Sequence, residues 1–313
     1  MDDTHDPFVR YEGNPIITPA DVGPKANAVF NPAATVFDGQ TLLLARVEDR
    51  SGMSNLVVAR SADGLTDWTV EPHRGIKADP SRFEERWGVE DPRITLIDGI
   101  YHVVYTGYSE GGPLICLATT TDFETFQRHG VLMPPEDKDA ALFPLRFGDR
   151  WALIHRPVST MAGLAAHIWL SWSPDLRYWG DGQILVHART GGLWDANKVG
   201  LGPPPLRTEA GWLLCYHGVR VTASGSIYRA GLALLDLQDP SKVLARTDGW
   251  IFGPREPYER AGDVPGVVFP TGWVLDQDGD TLRMYYGAAD TVVAVATASL
   301  RSLLRLVEPA DVE

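Results

Sequence analysis

One pattern recurs five times along this chain: an Asp/Gly turn, an aromatic or β-branched strand, a polar break, a second apolar strand and a further turn. The first copy starts at Phe37-Asp38-Gly39, continues through 41–46 and 54–61, turns at Asp63-Gly64 and closes on Trp68. The second starts at Ile97-Asp98-Gly99 and closes on Phe126, and the third starts at Gly148-Asp149-Arg150 and closes on Trp179. The fourth follows Glu209-Ala210-Gly211 and the fifth Asp278-Gly279-Asp280. A repeat spaced by roughly 50 to 70 residues means that each unit is one supersecondary element that cannot bury its apolar face alone, so neighbouring units must stack.

Alternation in pieces such as Tyr101-His102-Val103-Val104-Tyr105 sends residues of opposite parity to opposite faces of a strand. Only the stretch 299–307 has spacing suited to a helix, a short one near the C-terminus. With strands throughout and no linker between copies, the expected fold is all-β: one five-bladed β-propeller domain over residues 1–313, with a short N-terminal extension. An irregular β-sandwich is the competing architecture, and the repeated closing aromatics argue against it. A propeller gathers polar loops and strand ends around one central mouth. Site residues are then expected from all parts of the chain, near the start of each innermost strand.

Composition narrows the partners. The chain has 313 residues, 44% hydrophobic and 22% charged, which is a globular balance. Its formal net charge of -13 opposes approach to nucleic acid and to anionic membranes, yet leaves room for a local cationic pocket that takes one small anion. The opening Met1-Asp2-Asp3-Thr4-His5-Asp6 lacks a basic region followed by an apolar run, and no stretch approaches the roughly 20 apolar residues that span a bilayer. A cytoplasmic location is the expectation. Cys116 and Cys215 both sit inside apolar strand-like runs and read as buried thiols.

Superposing the copies brings Asn31, Arg46, Asp91, Arg156, His217 and Asp290 to comparable places at strand edges. The segment Gly88-Val89-Glu90-Asp91-Pro92-Arg93 sets two carboxylates side by side. In an extended strand they would point to opposite sides, one into the mouth and the other toward Arg93 or Arg86. Arg46-Val47-Glu48-Asp49-Arg50 leaves a strand end with two arginines and two carboxylates, suited to a surface ion-pair network or to a sugar or phosphate edge. His155-Arg156-Pro157, Asn197-Lys198-Val199-Gly200 and Tyr216-His217-Gly218-Val219 each put a cationic or titratable residue at a strand edge. Arg156, Lys198 and His217, with Arg50, would form a site for a small dianion.

In their order along the chain these segments resemble glycoside hydrolase family 130, the β-mannoside phosphorylases and related β-mannosidases. The resemblance runs from Asn14-Pro15-Ile16-Ile17-Thr18-Pro19 through Phe30-Asn31-Pro32-Ala33 and Gly202-Pro203-Pro204-Pro205 to Val267-Val268-Phe269-Pro270-Thr271-Gly272 and Tyr285-Tyr286-Gly287-Ala288-Ala289-Asp290. It implies Asp91 as the catalytic acid, Asn31, Arg46, Glu90 and Asp290 around the mannosyl unit, and Arg50, Arg156, Lys198 and His217 around phosphate. The implied reaction is inverting phosphorolysis of β-1,2- or β-1,4-linked manno-oligosaccharides or mannosyl-glucose to α-mannose 1-phosphate. Inorganic phosphate is the co-substrate, and neither a metal nor an organic cofactor is implied. Asp91 would pass its proton through a hydroxyl of the bound mannosyl unit, with a pKa raised by burial or by Glu90.

Two rivals remain at this point. A β-mannosidase of the same family would need a base to activate water, for which Glu48, Asp49 and Asp195 are candidates. A non-catalytic propeller would bind glycans or proteins. Loop aromatics such as Trp87 and Trp194 are compatible with homo-oligomer contacts, with sugar stacking or with simple loop anchoring.

Overall fold

The computed structural model describes residues 6–158, 164–223 and 225–308, so the first five residues of the polar N-terminus lie outside it. The protein is all-β, as the repeat predicts. The chain enters through β1 (Val9–Arg10) and a single helical turn, α1 (Pro19–Val22), and then forms successive antiparallel meanders. The first contains β2 (Ala26–Phe37), β3 (Gln40–Asp49), β4 (Ser54–Ser61) and β5 (Thr69–Ile76). The second contains β6 (Gly88–Ile97), β7 (Ile100–Ser109), β8 (Gly112–Thr120) and β9 (Gln127–Met133). These two are joined by one parallel bridge between Ser54 and Gly88.

The third meander is β10 (Asp137–Leu142), β11 (Trp151–Pro157), β12 (Ile168–Ser173) and β13 (Gly180–Val186). The fourth is β14 (Lys198–Leu201), the short β15 (Leu206–Arg207), β16 (Trp212–Thr222), β17 (Gly225–Leu235) and β18 (Val243–Arg246). After α2 (Pro257–Arg260) come β19 (Val268–Leu275), β20 (Thr281–Ala288) and β21 (Val292–Ser299). The last helix, α3 (Leu300–Arg305), starts at Ser299, whose side chain accepts from Ser302 N–H. That is the C-terminal helix expected from spacing, with the hydroxyl cap that satisfies one otherwise orphaned donor.

The repeat has a local cause. Where the third strand of a unit turns into the fourth, one aspartate accepts the two N–H groups ahead of it: Asp63 from Leu65 and Thr66, Asp122 from Glu124 and Thr125, Asp175 from Arg177 and Tyr178. This short-range turn is encoded by the side chain alone, and the same device therefore recurs.

Strand parity then divides the core. Leu42 and Leu44 face Val103 and Tyr105 of the second meander, whereas Leu43 and Ala45 face Tyr285 and Val295 of the last. Val104 and Leu117 pack with Leu142 and Leu153. Ile154 and Leu170 pack with Leu201 and Leu214, and Leu213 and Leu232 pack with Val268 and Met284. Each meander thus buries both faces against its neighbours, and the last packs against the first.

The N-terminal stretch is more than an extension. Val9 and Arg10 pair with Thr297 and Ala296, so the first strand in sequence completes the last sheet. Arg10 Nε donates to Glu259 Oε1 at 2.7 Å and its Nη2 to the Gly253 carbonyl at 2.6 Å. A two-residue strand is too short to show alternation, which is why the sequence pattern passes over it. Among the described residues no helix is long and apolar enough to cross a membrane, and Cys116 and Cys215 are both buried and free.

Candidate active site

Three first strands share one irregularity, and it builds the site. Asn31 on β2, Asp91 on β6 and Asp139 on β10 have φ of 47°, 46° and 54°. Each lies inside a register shift, between Phe30 and Ala33, Glu90 and Arg93, and Lys138 and Ala141. Asn and Asp tolerate the left-handed region better than other non-glycine residues. A bulge there breaks the pleat and re-aims the side chain. Pro32 and Pro92 follow two of the three, at positions where no ladder N–H is required.

The three side chains open onto a cavity of about 400 Å³. Asn31, Arg46, Asp91, Arg156, Lys198, His217 and Asp290 all line it, so the residues expected from strand edges on five meanders do converge. They do not all come from innermost strands. Arg46, Arg156 and His217 sit on β3, β11 and β16, the second long strands of their units, and Asp290 occupies the tight turn after β20. Ala289 and Asp290 have φ of 46° and 49°, the pair of positive values at the centre of a tight turn that Thr291 N–H closes on the Ala288 carbonyl.

One group of contacts surrounds Asp91. Asn31 Nδ2 donates to Asp91 Oδ1 at 2.9 Å, and Arg46 Nη1 donates to the same oxygen at 3.3 Å. Arg46 also reaches Glu90 Oε1 at 3.0 Å and Glu48 Oε2 at 3.3 Å, while its Nε donates to Ser54 Oγ at 2.9 Å. Its guanidinium lies 4.6 Å from the Phe30 ring centroid. The expected alternation of Glu90 and Asp91 therefore fails: the bulge at Asp91 turns both carboxylates toward Arg46. Glu90 does not line the cavity, Arg93 donates to the Asp91 main-chain carbonyl, and Arg86 pairs with Glu110.

A second group surrounds Asp139, which sequence reasoning missed. Its Oδ2 accepts from Arg156 Nε at 2.8 Å and lies 2.7 Å from Arg156 Nη2 and 3.5 Å from His217 Nε2. Beneath it the wholly buried Arg93 donates to the carbonyls of Gly202, Asp91 and Leu201 at 2.6, 2.8 and 3.0 Å. Lys138 and the exposed Lys198 complete the cationic lining. The signal for Asp139 was its position: Lys138-Asp139-Ala140 falls where the first two units have Asn31-Pro32 and Asp91-Pro92, but no proline marks it.

Arg50 is a correction. β3 ends at Asp49, whose Oδ1 accepts the N–H groups of Ser51 and Met53 and bends the chain into a turn. Arg50 is exposed on that turn and does not line the cavity, where Lys138 contributes a cation instead. The three candidate bases are likewise engaged elsewhere. Glu48 pairs with Arg46, Asp49 holds its own turn, and buried Asp195 is bound by Arg189, Arg246 and the Tyr216 hydroxyl. Trp194 is a loop anchor, stacked 5.5 Å from Tyr216 with its indole N–H on the Asp248 carbonyl. Trp87 is exposed and meets Tyr108 edge-on.

Electrostatics separates the carboxylates. Burial pushes Asp91 up, but Arg46, Lys138, Arg93 and the Asn31 hydrogen bond outweigh it and hold its pKa below the usual range. The sequence-based expectation of a raised Asp91 is thus not met. Burial raises Glu90. Asp290 is pushed up to about 6, by burial and then by the negative charge of Asp91. His217 falls to about 3, chiefly because burial and the nearby guanidinium groups outweigh the attraction of Asp139. At neutral pH its imidazole is an uncharged hydrogen-bonding group.

Asp290 carries a stability prediction. Its folded-state pKa of about 6 lies above the reference value of 3.8, so its contribution is fully present below about pH 4 and is lost as pH rises through about 6. Asp290→Asn is expected to stabilise the protein at pH 8 by up to roughly 3 kcal/mol, shrinking toward zero near pH 4. Thermal unfolding of both proteins across that range checks it; a gain that does not depend on pH would remove the charge of Asp290 as its cause.

A concave polar cavity that joins carboxylates of split pKa to an arginine, histidine and lysine cluster is suited to a hydroxyl-rich substrate and an anion, the setting of a carbohydrate-active enzyme. A family model described as glycoside hydrolase 130, beta-1,4-mannooligosaccharide phosphorylase, matches residues 7–309. The chain belongs to glycoside hydrolase family 130. It is 35% identical over 305 residues to a 1,2-beta-oligomannan phosphorylase of Thermoanaerobacter sp. (strain X514), covering 94% of this chain and 98% of the relative. It is 32% identical over 313 residues to a beta-1,4-mannooligosaccharide phosphorylase of Ruminococcus albus, covering 98% and 92%. The solved beta-1,2-mannobiose phosphorylase of Listeria innocua, in complex with beta-1,2-mannobiose, superposes with a TM-score of 0.85 at 33% identity, over 96% of this chain and 98% of that one.

Proposed function

We propose that this enzyme is an inverting β-mannoside phosphorylase that converts a β-mannoside and inorganic phosphate into α-mannose 1-phosphate and a shortened sugar. The observation that carries this reading is the company of Asp91: Arg156, Lys198, Lys138 and His217 share its cavity, whereas Glu48, Asp49 and Asp195 do not line it. An inverting hydrolase needs a second carboxylate to activate water. Phosphate is already a nucleophile, and cations that hold it beneath the anomeric carbon replace the base.

In this reading Asp91 is the acid, and its proton reaches the leaving oxygen through a hydroxyl of the mannosyl unit held by Asn31, Arg46 and Asp290. Asp91 is held more acidic than Asp290, so of these two carboxylates Asp290 is the one that takes up a proton first as pH falls. The meanders are the blades of a five-bladed propeller forming one domain, a reading supported by the core clusters that run from each sheet to the next and from the last to the first. Relatives named for β-1,2 and for β-1,4 linkages stand at similar identity, so both belong in the assay.

A hydrolytic reading keeps one foothold, Glu136, which also lines the cavity. Incubation with β-1,2-mannobiose, β-1,4-mannobiose and mannosyl-glucose, with and without phosphate, separates the two. Phosphate-dependent α-mannose 1-phosphate is the expected product; free mannose released equally without phosphate would make the enzyme a mannosidase and Glu136 its first candidate base.

A further inference from the structure

We propose that Asp139 is a positioning residue of the phosphate site, acting through Arg156 and His217 and not by contact with substrate. The inference rests on the phosphorylase reading above. A carboxylate in an anion pocket is at first sight a contradiction, because its charge opposes the ligand. Its surroundings explain it.

Asp139 is buried at the bulge of β10, with cationic and titratable groups facing it from two other meanders and its own: Arg93 from β6, His217 from β16, Arg156 from the adjacent β11, and Lys138 beside it in sequence. Its pKa is held well below the usual range, because those charges outweigh its burial. It is therefore an anion at neutral pH, and it takes one edge of Arg156 through Nε and Nη2 at 2.8 and 2.7 Å. A planar guanidinium held by one edge presents its remaining donors in fixed directions. The same Oδ2 lies 3.5 Å from His217 Nε2, which favours the tautomer with its proton on that nitrogen. The Phe269 ring, with its centroid 4.5 Å away, packs the imidazole on a further side.

The packing leaves no room for alternatives. A Cβ on Gly200 of β14 would sit 2.4 Å from His217 Cε1 and 2.6 Å from Asp139 Oδ2. The glycine is what lets the carboxylate and the imidazole share this space. Without Asp139, Arg156 would retain its charge and lose its direction, and a uniform gain in attraction for phosphate would not compensate for lost alignment.

The test is a double-mutant cycle on purified full-length protein, with inorganic phosphate varied at saturating mannobiose and mannobiose varied at saturating phosphate. Asp139→Asn is expected to raise KM for phosphate about tenfold and KM for mannobiose less than about threefold. In the Asp139→Asn/Arg156→Ala double variant, phosphate KM should rise far less than the product of the two single effects, because with Arg156 gone only the contact with His217 is left for Asp139 to act through. Gly200→Ala, which presses on the same two side chains, should reproduce the phosphate-selective loss if Asp139→Asn does not fold. Multiplying effects in the double variant, or equal rises in both KM values, would overturn the positioning role. If Arg156→Ala raises phosphate KM and Asp139→Asn does not, only this inference fails. If Arg156→Ala leaves phosphate KM unchanged, the phosphate site itself is misassigned.

Discussion

Asp91→Asn is expected to lower turnover by roughly 10²–10⁴-fold, the span of a general acid's contribution, while leaving the fold intact. The substitution keeps the shape and removes the ability to cycle a proton together with the negative charge that faces Arg46. Asn31 Nδ2 and Arg46 Nη1 can still donate to the remaining carbonyl oxygen, the atom that each now meets at 2.9 and 3.3 Å. Substrate affinity should change little by comparison, since an interaction made mainly in the transition state is read in kcat. Steady-state kinetics in both directions of the reaction, beside a thermal unfolding curve, would check it. Near-normal kcat would remove Asp91 from the acid role and pass it to Asp290, whose pKa of about 6 already suits proton transfer near neutrality.

Arg93→Met is expected to be the most destabilising single change at the site, by about 3–5 kcal/mol. Arg93 has no exposed surface and donates to three main-chain carbonyls, those of Asp91, Leu201 and Gly202. Methionine fills much of the volume but leaves those acceptors buried without a donor, and it takes away a positive charge 3.9 Å from Asp139 Oδ1. Because Arg93 ties the bulge of β6 to β14, the loss should reach the cavity as well as the melting temperature. Arg93→Lys is not expected to rescue it, since one ammonium cannot reproduce a planar fork spread over three carbonyls. Chemical denaturation of the three proteins gives the comparison. A cost below about 1 kcal/mol would mean that the carbonyls find other donors.

Much of the site was legible because its residues break a repeated pattern. Asn31, Arg46, Asp91, Arg156, His217 and Asp290 are polar residues at matching strand edges, and all line the cavity. Arg50 looked equivalent in spacing, yet the turn built by Asp49 carries it outward. Asp139 was passed over, and Arg93 was read only as a carboxylate partner, for a related reason: their importance comes from partners more than sixty residues away, such as Leu201 and Gly202 for Arg93 and His217 for Asp139. Glu90 and Asp91 were expected on opposite sides because strand alternation is a rule for a regular pleat, and the bulge at Asp91 suspends it.

Local chemistry is what the chain settled unaided. Period-two patterning assigns each strand two buried faces, and short aspartate turns repeat the meander, because both depend on residues close in sequence. Tertiary structure decided which cations share a cavity, which carboxylates have their pKa raised and which lowered, and that β1 completes the last sheet. Those outcomes depend on distances and desolvation among groups that only the folded chain brings together, and charge interactions take their strength from that geometry.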